Sequence, residues 1–127
     1  MTAAQMTVRI CGVVLLLLGI LFWTGNADFL QPVHILLGLL LVLGLWTLSF
    51  LALQSRTGVG PAVLGFAWGV VATVLGLTQT RLVTGDAHWV IQVIHLLVGV
   101  GAIGIAEQLA RRIKAHGFPA TAPALRN

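Results

Sequence analysis

Four long apolar runs, residues 6–24, 29–54, 61–83 and 87–113, make up most of this chain and are divided by short turns. Each run approaches or exceeds the helix length of about 20 residues that crosses the hydrocarbon core of a bilayer. Within lipid, a helix is the one single-segment structure that satisfies its own backbone hydrogen bonds. Composition excludes a soluble fold: 58% of the residues are hydrophobic and 8% charged, too few charges to clothe such a surface. The expected fold is therefore all-α, an integral membrane four-helix bundle in up-down-up-down order within residues 1–113. Gly25-Asn26-Ala27-Asp28 ends the first span, and Pro32 is tolerated in the first turn of the second. Residues 55–60 form the next loop, Pro61 opens the third span, and Asp86 is expected to cap the fourth. Three more spans follow the first run, so it reads as a retained span and not a cleaved signal peptide. Residues 114–127, with Pro119 and Pro123, read as a flexible cytoplasmic tail.

The net charge of +4 does not point to nucleic acid, because the basic residues flank apolar runs as topology signals do. Arg9, Arg56, Arg111, Arg112 and Lys114 fall on one side of the expected bundle. Asp28 and Asp86 fall on the other, with Arg81 the single exception. The excess of cations places both termini in the cytoplasm of a multi-pass protein of a bacterial cytoplasmic (inner) membrane. The lone Cys11 excludes an internal disulfide.

Two stretches carry the candidate chemistry: His34-Ile-Leu-Leu-Gly38 in the second span and His95-Leu-Leu-Val-Gly99 in the fourth. Positions i and i+4 share a helix face, so each imidazole sits one turn from a bare patch of backbone. The second and fourth spans run the same way, which puts both histidines at similar depth on diagonal helices. An internal repeat aligns Gly19, Gly25, His34 and Gly38 with Gly76, Gly85, His95 and Gly99. The chain thus reads as two helical hairpins related by an approximate twofold axis, with one ligand on that axis. The expected ligand is one haem b per chain, its iron held by His34 and His95 as metal ligands. Gly19, Gly38, Gly76 and Gly99 would leave room for the macrocycle.

Each of these features also has a plainer reading. Membrane histidines form interhelical hydrogen bonds, and glycines let helices approach, as Gly65-x-x-x-Gly69 is expected to do. The stripe His95, Gly99, Ala102, Ala106 is open to the same interpretation. Arg81 is either an interfacial anchor or the partner of a haem propionate, with His88 assisting. Trp23, Trp46, Trp68 and Trp89 read as interfacial or packing aromatics. Glu107 is expected to pair with Arg111 along its own helix, and His116 is assigned nothing. The sequence holds no cluster for structural zinc, no phosphate loop and no mid-membrane carboxylate of the kind that drives proton-coupled transport.

A four-helix unit with histidines on the second and fourth helices, about sixty residues apart, resembles one half of haem A synthase over residues 6–113. The resemblance implies that His34 and His95 are the axial pair of a haem b. The glutamate and arginine that flank a histidine in that family's active half are replaced here by Gln31 and Ile35, so haem hydroxylation is not implied. The expected function is that of a small bis-histidine membrane cytochrome b, an electron carrier more than a stand-alone enzyme, serving a quinone or another redox subunit. The alternatives are a cofactor-free accessory or assembly subunit of a larger membrane complex or homo-oligomer, and a (bacterio)chlorophyll-binding subunit.

Overall fold

The computed structural model describes residues 2–117, which are helical with no strand among them. Helix α1 spans Ala3–Trp23, α2 Gln31–Gln54, α3 Val59–Thr78 and α4 His88–His116. Single 3-10 turns at Asp28–Leu30 and Gln79–Arg81 lie in the α1–α2 and α3–α4 connections. All four helices are long and apolar enough to cross a membrane, consistent with a multi-pass membrane protein. Outward apolar side chains such as Ile10, Leu17, Phe29 and Leu97 are largely exposed, a surface suited to lipid.

Local chemistry explains most of the boundaries. Thr2 caps α1 by accepting from the Gln5 amide at 3.1 Å. At the other end of α1, Gly25 N–H donates to Phe22 O and Asn26 N–H to Leu21 O, with Gly25 at φ +76°. That paired arrangement with a left-handed glycine is a Schellman stop. The expectation for Asp86 needs correction: the cap position of α4 is Ala87, which has no side-chain hydrogen bond. The preceding turn closes through backbone instead, His88 N–H to Gly85 O at 3.0 Å. The third helix ends at Thr78, short of Val83, and its last turn tightens into the 3-10 segment. The fourth continues to His116, so residues 114–116 belong to the helix rather than to a tail. Pro119 and Pro123 lie outside the described residues.

Helices α2 and α4 pack against each other and each packs against both α1 and α3. The core sits towards the end where α2 turns into α3, built from Val8, Leu45, Leu48, Ala106 and Leu109. Two tryptophans bridge neighbouring helices there. Trp46 Nε1 donates to Phe66 O at 3.2 Å and Trp68 Nε1 to Val98 O at 2.9 Å. A methyl on Gly69 would strike Trp46, and one on Gly101 would strike Trp68, so those glycines let the Nε1 edges of the indoles reach the next helix. Gly65 abuts Ser49 of α2 in the same way.

Glu107 pairs across the bundle with Arg9 rather than along α4 with Arg111, correcting the sequence expectation. Arg9 Nε lies 2.6 Å from Oε1, its second guanidinium nitrogen lies 2.8 Å from Oε2, and Gln5 Nε2 adds a bond of 3.1 Å. A guanidinium fork matches both carboxylate oxygens at once, and here it ties α1 to α4. Arg56 N–H donates to Gly117 O at 3.3 Å, bringing the α2–α3 loop to the end of α4. Arg56, Arg111, Arg112 and Lys114 are thereby gathered at one end of the bundle.

Candidate functional site

The opposite end, where α1 turns into α2, is built differently. His34 lies in the first turn of α2 and His95 two turns into α4, and both side chains are half-buried. Their ring centroids are 6.2 Å apart with an interplanar angle of 52°. The Nδ1 atom of each is buried without a hydrogen-bond partner. Leaving such a group unsatisfied costs about 1–3 kcal/mol, and two of them side by side is not what an interhelical hydrogen bond would produce. The rings are instead placed by packing. Phe22 meets His34 edge-on at 5.3 Å and 63°, while a methyl on Gly76 would lie 3.3 Å from His95 Cε1, so a bare backbone there lets the imidazole approach α3.

Both histidines line a cavity of about 500 Å³, within the range of about 300–1,000 Å³ usual for small-molecule and cofactor sites. Gly19, Gly38, Gly76 and Gly99 line it too. A methyl built on Gly19, Gly38 or Gly99 would meet no atom within 4 Å. These three glycines therefore widen a chamber, whereas Gly65, Gly69 and Gly101 close a helix contact.

Ring pairs that pack together commonly have centroids about 4.5–7 Å apart, and two imidazoles sharing one metal would have theirs about 6.3 Å apart. The observed separation is 6.2 Å. Among the described residues no group of three or more His, Cys, Asp or Glu is placed to hold a bare ion. The chain brings two imidazoles with unpartnered Nδ1 atoms to the wall of one chamber.

Arg81 ends the 3-10 turn after α3, is exposed, and lines neither this cavity nor its neighbour. His88 lines a second, smaller cavity of about 200 Å³, together with Asp28, Gln31, Gln79, Thr80 and Gln92. Gln31, Gln79 and Gln92 border both cavities, and Gln79 Oε1 is buried without a partner. Sequence reasoning centred on His-x-x-x-Gly passes over Gln79 and Gln92 and notes Gln31 only as the replacement of a glutamate. The signal for two of them was present, since Gln31 and Gln92 each stand three residues before a histidine, making the repeat Gln-x-x-His-x-x-x-Gly. Gln79 and Phe22 carried no comparable pattern.

No protein-family model matches the chain, and no characterised protein or solved structure shows significant similarity to it.

Proposed function

We propose that this protein is a small membrane cytochrome b that holds one haem between His34 and His95 and carries electrons. The observation that supports this reading is the pair of half-buried imidazoles, 6.2 Å apart and unpartnered at Nδ1, on the wall of a glycine-widened cavity. A haem held by His34 and His95 would supply one-electron redox chemistry. The chain's own contribution is to place and shield. Helices α2 and α4 present the two donor nitrogens, Phe22 and Gly76 set the ring orientations, and Leu39, Val42 and Leu96 help to exclude water. Such apolar walls tune a metal centre by controlling dielectric and solvent access. The approach of the two rings favours a single shared ligand over separate pigments on outward histidines.

The membrane assignment is part of the same proposal. The basic end of the bundle faces the cytoplasm of a bacterial inner membrane, with both termini inside, and the histidine end lies in the outer leaflet. The repeated Gln-x-x-His-x-x-x-Gly unit supports two related hairpins around the ligand. The deciding measurement is the absorption spectrum of detergent-purified protein, air-oxidised and then dithionite-reduced. Sharp low-spin haem b bands with about one haem per chain are expected. Colourless protein from haem-replete cells would overturn the reading.

A further inference from the structure

The smaller cavity has walls of another chemistry. Asp28, Gln31, Gln79, Thr80, His88 and Gln92 line it together with Phe22, so polar and apolar wall are about equally represented. Among the described residues, no lysine or arginine lines either cavity. The unspent capacity on its walls includes several acceptors. Gln79 Oε1 is buried and unpartnered. His88 Nδ1 lies 3.2 Å from Leu82 O. A carbonyl can only accept, so Nδ1 carries a proton. Asp28 adds a carboxylate. The glutamine amides and the Thr80 hydroxyl can donate as well as accept, so the wall suits a ligand whose groups do both. The unpartnered Gln79 Oε1 calls for a donor, and an anion would meet the Asp28 carboxylate with no lysine or arginine on the wall to offset it.

Size narrows the choice. At about 200 Å³ against about 500 Å³ for the histidine chamber, the smaller cavity suits a single substituted ring better than a macrocycle. Position narrows it further. Gln31 and Gln92 are three residues before His34 and His95, on the same helix faces and about 5–6 Å away. A ring in the smaller cavity would sit beside the larger one, with those glutamines as the shared wall.

We infer that the smaller cavity binds the head ring of a quinol, a neutral ring whose two hydroxyls hydrogen-bond among Gln79, His88 and Asp28, donating to Gln79 Oε1 or the Asp28 carboxylate. The inference rests on the cytochrome reading and deepens it, because it selects a lipid-soluble quinol rather than a protein subunit as the electron partner. The haem carboxylates are the competing occupant, and the Asp28 carboxylate on a wall without lysine or arginine disfavours them.

The test is an anaerobic calorimetric titration of the dithionite-reduced, haem-loaded protein in detergent with a short-chain ubiquinol analogue. The same ring with both hydroxyls methylated is titrated alongside, and the proteins compared are wild type, Gln79→Leu and His88→Ala. Saturable binding of one quinol per chain is expected, weakened by about tenfold or more in the methylated ring and in each variant, the scale of one buried hydrogen bond. His88→Ala should keep its full haem content, because His88 borders the smaller cavity alone. Equal affinity for the methylated ring, unchanged affinity in both variants, or no binding to haem-replete wild type would overturn the inference. Loss of haem from His88→Ala would also overturn it and assign the cavity to the haem carboxylates. A colourless wild type would instead overturn the cytochrome reading. Quinol binding to that protein, lost in Gln79→Leu, would still support the site, and no binding would overturn both.

Discussion

The two ends of this bundle use one residue type for opposite purposes. From the α2–α3 end to mid-helix, Gly44, Gly65, Gly69 and Gly101 lie where a methyl would strike Val8, Ser49, Trp46 and Trp68 respectively. At the α1–α2 end, Gly19, Gly38 and Gly99 lie where a methyl would touch nothing within 4 Å. In the first region the missing side chain brings helices together, and the core closes around Leu45, Leu48 and Leu109. In the second it holds open a cavity of about 500 Å³ around two histidines. Glycine count or spacing alone does not distinguish a contact from a chamber. The neighbouring helix decides which it is.

The comparison can be attacked directly. The largest effect expected is that His34→Ala or His95→Ala abolishes haem retention while circular dichroism still shows a fully helical chain. Normal haem spectra in both variants would remove the chamber's proposed role. Next in size is a crossed pair of substitutions. Gly65→Leu should lower stability by about 1–3 kcal/mol, the usual cost of overpacking a well-filled contact, read as an earlier thermal transition in detergent. Gly38→Leu should leave that transition in place, since it enters open space, yet diminish bound haem. If Gly38→Leu destabilises as much as Gly65→Leu, the two ends are not different in kind. The smallest effect is expected from Glu107→Gln, which breaks the Arg9 fork. Its Arg9 partner is 45% exposed, and ion pairs of that kind contribute little. The transition should fall by less than in Gly65→Leu, and a larger fall would make the clamp between α1 and α4 a main support of the closed end.

How far the sequence was legible follows from the range of the interactions involved. Helix-forming runs show in composition, because lipid-length apolar stretches have one way to satisfy their backbone. His34 and His95 stood out because a fixed i, i+4 relation to glycine recurs in both halves. Local rules misdirected at other points. Asp86 is a suitable capping residue, yet a backbone turn closed by Gly85 O does that work. Glu107 has Arg111 at helical spacing, but Arg9 on another helix offers a better fork. Arg81 was weighed as a partner of the ligand, and the 3-10 turn after α3 leaves it outside both cavities.

The sequence by itself determined four apolar helices, their order, and a repeated histidine–glycine unit, since these depend on backbone periodicity and transfer of apolar surface. Only the tertiary structure decided that the two imidazoles stop 6.2 Å apart with Nδ1 unpartnered. It alone placed Gln79 beside Gln31 and Gln92 on the wall between two cavities. It also separated the glycines that touch from those that do not. Those outcomes depend on how helices pack, and packing is set by side-chain shapes on different segments that no spacing within one segment encodes.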